Sequence, residues 1–253
     1  MADQPSSGNA GTAALSVVVP VHNEADNIEP LVSEIAGALG GRLAYEIVYV
    51  DDGSTDGTWV ALESAAAGRP ELRAVRHAAR SGQSSAIITG VRQAKSPVIA
   101  TLDGDGQNDP ADIPKLLSVY EGRDAGSRLM VCGNRASRKD TGRRRFASRI
   151  ANTVRGGLLR DKTPDTGCGL KVFARDDFLG FPAFDHLHRF MPALMIRAGG
   201  AVTSVDVGHR PRQRGASKYG VWDRLWVGIV DLAGLLWLAR RPTRHHIDRR
   251  IGG

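Results

Sequence analysis

From Leu15 onward, short β-rich apolar runs alternate with stretches whose apolar positions recur at helical spacing. That is the pattern of a mostly parallel sheet flanked by helices. Leu15 to Val21 reads as the first strand, and Asn27 is placed to cap a helix running to about Leu39. A second strand follows at Glu46 to Val50, and Asp56 caps the helix after it, so two strand–helix units are complete by Ala67. Leu72 to His77 and Val98 to Leu102 are predicted strands separated by a helix near Ser84 to Gln93. The second of these strands delivers Asp103 at its carboxyl end, where open α/β sheets bind ligands. Beyond Pro110 the pattern predicts a helix to about Tyr120, strands at Leu129 to Cys132 and Val202 to Val207, and a terminal helix from Trp222 to Arg241. No internal repeat is present.

A chain of 253 residues with 42% hydrophobic content can bury one substantial core, which suits a single α/β domain with appendages. The formal charge of +7 points to an anionic partner: nucleic acid, a phosphorylated substrate or an acidic membrane face. Arg135, Arg138, Lys139, Arg143, Arg144, Arg145 and Arg149 crowd one stretch, opposed locally by Asp140, and read as an anion-facing surface or as the solvated face of a helix. Aromatic residues are few and are not interleaved with this run as base-stacking platforms would be, so no nucleic-acid partner is expected. Cys132 and Cys168 belong to no CxxC pair, which argues against a disulfide framework or a zinc site and suits a reducing cytoplasmic location. Residues 1–13 are small and mostly polar, without the basic and apolar regions of a signal peptide, and are expected to form a disordered leader.

Three segments carry the candidate chemistry. In Asp103-Gly104-Asp105-Gly106-Gln107, two carboxylates and an amide oxygen alternate after a strand. Hard Mg2+ or Mn2+ prefers such oxygens and commonly completes its shell with substrate phosphates. Asp109 and Asp112 stand where helix-capping residues occur. The run Val50-Asp51-Asp52-Gly53-Ser54-Thr55-Asp56-Gly57 closes another strand, and a carboxylate there can accept hydrogen bonds from a nucleobase. Pro20-Val21-His22-Asn23-Glu24 puts polar groups on the same sheet edge. No GxxxxGK[ST] phosphate loop occurs, which disfavours a phosphoryl-transfer enzyme of that class.

Together, in this order, these segments resemble the family 2 inverting glycosyltransferases, with the nucleotide-sugar-binding, Rossmann-like GT-A fold, over about Leu15 to Lys218. Gly133-Asn134-Arg135, Asp165-Thr166-Gly167-Cys168-Gly169-Leu170-Lys171 and Arg212-Gln213-Arg214-Gly215-Ala216-Ser217-Lys218 are similar to later motifs of the dolichol- and polyprenyl-phosphate sugar synthases. The resemblance implies an inverting transfer of mannose or another hexose from a GDP- or UDP-linked donor to a polyprenyl or dolichyl phosphate, with Mg2+ or Mn2+ as cofactor. By the same resemblance Pro20, His22, Glu24, Asp52 and Asp103 hold the nucleotide-sugar, and Asp103, Asp105 and Gln107 hold the metal. Asp105, Arg135, Arg212 and Lys218 form the implied catalytic set, the three cations facing the diphosphate and the acceptor phosphate. His22 stands where relatives commonly have an aromatic residue, Gln83 where they often have lysine, and Lys171 where arginine is frequent.

A lipid phosphate is ionised at neutral pH and attacks without a protein base, whereas a hydroxyl acceptor needs one. No general-base candidate stands out beyond the clustered carboxylates, which favours the phosphate over the alternative, a hydroxyl on a glycan. His186, His188 and His209 read as structural or acceptor-site residues. A non-catalytic basic membrane- or nucleic-acid-binding module is the remaining alternative. Leu225 to Ala239 is apolar except for Asp231, yet as a helix it reaches about 22 Å against a bilayer core of about 30 Å. The expected layout is a catalytic domain at 14–220, an amphipathic membrane-surface helix at 221–241 and a basic tail at 242–253. Trp222, Trp226 and Trp237 are available for the headgroup region, and an ordinary buried helix is the competing reading. Arg240, Arg241, Arg244, Arg249 and Arg250 suit an anionic leaflet, which gives a peripheral attachment on the cytoplasmic side of the membrane.

Overall fold

The computed structural model describes residues 13–135, 163–211 and 221–241. The chain divides into two compact units, Met1–Asp140 with Thr163–Ala216, and Thr141–Lys162 with Ser217–Gly253. Residues 1–12 of the expected leader at 1–13, the basic run from Arg138 to Arg149, the motif from Arg212 to Lys218 and the tail at 242–253 lie outside the described residues.

In the first unit the element order is β1 (Leu15–Val21), α1 (Ala25–Leu39), β2 (Tyr45–Asp51), α2 (Thr58–Ala66), β3 (Leu72–Arg76), α3 (Gln83–Gln93) and β4 (Val98–Thr101). A short 3-10 turn (Pro110–Asp112) then leads into α4 (Ile113–Glu121), β5 (Leu129–Asn134), β6 (Lys171–Ala174), α5 (Arg175–Leu179), α6 (Leu187–Arg197) and β7 (Ala201–Asp206). The sheet order is β3-β2-β1-β4-β6-β5-β7. Strands β3, β2, β1 and β4 are parallel neighbours, whereas β6 runs antiparallel to both β4 and β5. Strand β1 is buried along its whole length between β2 and β4, which is why it reads as a continuous apolar run rather than an alternating one. Leu31, Ile35 and Leu39 of α1 and Leu116 and Tyr120 of α4 pack onto this sheet in one cluster with Val17, Val19 and Ile47.

The expected strands and helices of the first half are present, with edges shifted by a few residues. Three capping expectations, at Asn27, Asp112 and Asp56, need correction. Helix α1 begins at Ala25, so Asn27 lies inside it and its side-chain amide donates to Glu24 Oε2 at 2.6 Å. The Asp112 carboxylate accepts from the backbone N–H of Gly208 at 2.8 Å and makes no capping bond to α4. Asp109 does cap, accepting from Ala111 N–H at 2.9 Å, whereas the N-cap of α2 is Gly57 and Asp56, one residue before it, accepts from Thr58 N–H at 3.0 Å. Short β6, α5 and α6 were not anticipated.

In the second unit, α7 runs from Val221 to Ala239. Val230 and Trp237 on it are exposed, and the Arg241 guanidinium lies 5.7 Å from the Trp237 ring centroid. No helix among the described residues is long and apolar enough to cross a membrane. The side chains of Trp222 and Trp226 lie outside the described residues.

Candidate active site

The carboxyl ends of β1, β2 and β4 stand side by side, and the loops that leave β1 and β2 are bonded to each other. His22 Nδ1 lies 2.9 Å from the Asp52 carbonyl, and the backbone N–H of Asn23 donates to Ser54 Oγ at 2.9 Å. Asn23 Oδ1 accepts from Thr55 N–H at 2.8 Å, while Glu24 N–H donates to Thr58 Oγ1 at 2.9 Å. The Pro20–Glu24 and Val50–Gly57 motifs are therefore one clasp. Pro20 is buried in β1 opposite Val50, with its carbonyl oxygen only 2.9 Å from where a Cβ on Gly104 would stand.

Asp52 turns inward from this clasp. Its Oδ1 accepts from His77 Nδ1 and from Ser81 N–H, both at 2.8 Å, and its Oδ2 accepts from Gly82 N–H at 2.8 Å. Burial pushes this carboxyl upward, but the His77 and amide donors outweigh it and hold the group below its ordinary value. His77 is fixed in turn by Thr89 Oγ1 at 2.9 Å from Nε2. Gly53 has φ +65°, and a side chain there would collide with the Ala79–Arg80 backbone at 2.6 to 2.7 Å, so glycine allows the 79–82 loop to close over the turn.

The Asp103–Gln107 run meets the Asp165–Lys171 motif at Asp103. Gln83 Nε2 donates to Asp103 Oδ1 at 2.8 Å, and the carboxylate lies so close to Gly169 that a Cβ there would fall 2.2 to 2.4 Å from its atoms. Thr101 Oγ1 donates to the Gly169 carbonyl at 2.6 Å, pinning that backbone in place. Burial, and then the charge of Asp105, push the Asp103 carboxyl up to about 6, against the opposing charges of Lys171 and Arg135 and the Gln83 bond. Asp105 Oδ1 accepts from Gln107 N–H at 3.1 Å, and the Gln107 carbonyl accepts from Arg210 N–H at 3.0 Å. Arg210 then bridges Glu34 Oε2 at 2.7 Å and Asp109 Oδ2 at 2.8 Å.

Arg135 makes a two-pronged ion pair with Asp165, Nε to Oδ2 at 2.6 Å and Nη2 to Oδ1 at 2.9 Å. Burial acts against the charge on both partners, and the pairing outweighs it, holding the Asp165 carboxyl low and the Arg135 guanidinium firmly protonated. Arg135 thus reaches Asp103 through its field, while the fork expected to meet a phosphate is taken by Asp165. Lys171 is buried and donates to the Cys168 carbonyl. Of the implied catalytic set, Arg212 and Lys218 lie outside the described residues.

Sequence reasoning gave no role to His77 or Arg210, placed Asp165 in a motif without assigning it one, and read His188 only as a structural or acceptor-site residue. His77 directly follows β3 at the ligand-binding edge of the sheet, which is the signal that could have found it. His188 is brought in by α6, an element the sequence pattern did not disclose.

Asp103 and Asp105 fit a divalent cation. Two adjacent carboxylates, one of them resisting ionisation, are stabilised by a positive charge between them. Among the described residues no three His, Cys, Asp or Glu side chains gather into a metal nest, so these two would supply part of a shell and leave the rest to phosphate oxygens, as Mg2+ and Mn2+ commonly require.

Residues 16–179 match the sequence profile of glycosyl transferase family 2. The chain belongs to that family. It is 36% identical over 239 residues to dodecaprenyl-phosphate galacturonate synthase of Rhizobium johnstonii, covering 91% of this chain and 68% of the relative. It is also 37% identical over 215 residues to undecaprenyl-phosphate 4-deoxy-4-formamido-L-arabinose transferase of Yersinia enterocolitica, covering 82% of this chain and 63% of that one. The chain thus spans about two thirds of the length of these curated relatives. Among solved structures, glucosyl-3-phosphoglycerate synthase of Mycobacterium tuberculosis with uridine diphosphate superposes at a TM-score of 0.67 with 18% identity, over 91% of this chain and 80% of that one. A mannosyltransferase of Pyrobaculum calidifontis, solved with GDP-mannose and Mn2+, gives a TM-score of 0.62 at 21% identity, over 94% and 67% of the respective chains. The family 2 fold is accordingly GT-A: a mixed, mostly parallel sheet flanked by helices.

Proposed function

We propose that this glycosyltransferase moves a sugar from a UDP- or GDP-linked donor to a polyprenyl phosphate, with Mg2+ or Mn2+ held by Asp103 and Asp105 and Gln107 beside them. The relatives named for dodecaprenyl- and undecaprenyl-phosphate products support the acceptor class. The observation that carries the reading is the state of the groups around Asp103. Asp52 and Asp165 are each held below the ordinary carboxyl value by their donors, and burial pushes His188 down to about 3. None of these three is poised to take a proton near neutral pH; Asp103, at about 6, is, but a cation held there would occupy its oxygens, so the metal-loaded site suits an acceptor that arrives already ionised.

In the reaction, a phosphate oxygen of the lipid uses a lone pair to form a bond to the anomeric carbon as the bond from that carbon to the diphosphate breaks. The nucleoside diphosphate leaves with the electron pair, and no proton need move. A divalent cation bound at this site supplies charge stabilisation to the departing diphosphate. Asp103 and Asp105 orient that end of the donor, the clasp of His22, Glu24 and Asp52 bounds the nucleotide end, and Arg212 and Lys218 are proposed to bring positive charge to the phosphates.

The enzyme is further proposed to work peripherally at the cytoplasmic face of a membrane. Val230 and Trp237 on the exposed face of α7, with Arg241 beside the Trp237 ring, suit a headgroup layer. Incubating protein, Mn2+, a panel of labelled nucleotide-sugars and polyprenyl phosphate tests the acceptor assignment. Label is expected in the lipid phase with at least one donor. Label entering only a glycan hydroxyl would replace the acceptor, and no Mn2+-dependent binding of any nucleoside diphosphate would remove the donor site.

A further inference from the structure

The N-terminal turns of α3 and α6 meet beside Asp103. Gln83, the first residue of α3, holds Asp103, and the next residue, Ser84, is fully buried and bonded twice to His188 in the first turn of α6. Ser84 Oγ accepts from the His188 backbone N–H at 3.2 Å and lies 2.8 Å from His188 Nδ1. The hydroxyl has one proton, and no other acceptor for it is found among the described residues. A buried hydroxyl proton left without an acceptor is costly, so it goes to Nδ1, which must then be the bare nitrogen of a neutral ring. The ring proton therefore sits on Nε2, which has no hydrogen-bond partner among the described residues.

Burial first, then the charges of Arg189, Lys171 and His186, keep this imidazole neutral. Such surroundings would bind an anion, and a neutral N–H has a particular use beside a nucleophilic one. It orients an oxygen without forming an ion pair that would drain the negative charge the oxygen needs to attack. Lys171, whose charge lowers the Asp103 carboxyl, is already bonded to the Cys168 carbonyl.

We propose that His188 donates its Nε2 proton to a phosphate oxygen of the lipid acceptor, and that Ser84 fixes the tautomer that makes this possible. The inference rests on the polyprenyl phosphate reading above. His188 would be a substrate-binding residue, with Ser84 a positioning residue acting through it.

The test compares wild type, His188→Ala, His188→Gln and Ser84→Ala, measuring steady-state transfer against polyprenyl phosphate and, separately, binding of nucleoside diphosphate with Mn2+. Donor binding also reports that each variant is folded. His188→Ala is expected to raise KM for polyprenyl phosphate roughly tenfold to hundredfold, the range of a hydrogen bond to a charged group, with the nucleotide Kd unchanged. His188→Gln, whose amide N–H can reach the place of Nε2, is expected to recover part of that loss, and Ser84→Ala to show a smaller rise in the same KM. An unchanged acceptor KM in His188→Ala, or a loss confined to discrimination among donor sugars, would overturn the inference while wild-type transfer leaves the function standing. Absence of wild-type transfer to any polyprenyl phosphate would remove the function itself, and the inference with it.

Discussion

Asp103 sits in a space that exists because residue 169 has no side chain. In Gly169→Ala the new methyl would stand 2.2 to 2.4 Å from the carboxylate, and the Thr101 bond to the Gly169 carbonyl resists movement of that backbone. Asp103 must then swing away from Gln83, so this variant should lose Mn2+-dependent nucleotide binding by calorimetry while retaining a cooperative thermal transition. Asp105→Ala is expected to lower kcat by about 100- to 1000-fold, read in the transfer assay at saturating Mn2+. The Asp103 carboxyl also sets a pH dependence. Without a cation its pKa is about 6 folded against 3.8 ordinarily, so the folded state binds the proton more tightly and stability falls as pH rises from about 4 to about 6. Cation binding needs the ionised form and should strengthen over the same rise. Melting temperature in chelator and Mn2+ affinity, each followed from pH 4.5 to pH 7.5 (roughly spanning the titration), should show opposite trends, and Asp103→Asn should flatten the first. The position of the acidic pair at the end of a buried strand was legible in the sequence. The contact with Gly169 was not, because it joins residues brought together only when β6 inserts beside β4.

At the level of elements, the site is a set of loop-to-loop bonds between neighbouring strand ends. The β1 and β2 loops were recognisable because each ends a buried apolar run, but their attachment through Asn23, Ser54 and Thr58 depends on the one-to-one pairing of Leu15–Val21 with Tyr45–Asp51. Asn27 misled as a cap because Asn is a strong capping residue, whereas the chain enters α1 at Ala25 with Glu24 bonded to Thr58. Strand β6 is four residues long and follows a loop rich in glycine, so its residues showed no readable period. The 79–82 loop depends on His77 as well as Asp52, since His77 spans from the carboxylate to Thr89 of α3. His77→Ala should cost about 1–2 kcal/mol in urea unfolding and weaken nucleotide binding, because Asp52 loses the donor that helps hold it ionised. A variant with full stability and unchanged nucleotide affinity would show that the loop is held without it.

On the scale of the whole molecule, a basic chain carries an acidic site, and the excess positive charge falls largely in sequence beyond the sheet elements of the donor half. Family membership, the GT-A sheet and the edge that bears the site followed from three strand-end motifs in order. The direction of β6 and the place of α6 did not, since neither short apolar segments nor isolated histidines encode their partners. Removing residues 221–253 should abolish co-sedimentation with anionic vesicles and leave Mn2+-dependent nucleotide binding intact. Retained co-sedimentation would place the membrane contact elsewhere. The central claim, that Asp103 and Asp105 support transfer to a phosphate oxygen, is tested most directly by the bond in the product. Wild-type protein with Mn2+, labelled donor and polyprenyl phosphate should give a lipid whose sugar is released by mild acid, as a glycosyl phosphate is, and chelator or Asp105→Ala should prevent its formation. An acid-stable glycoside, or equal product in the presence of chelator, would contradict the account.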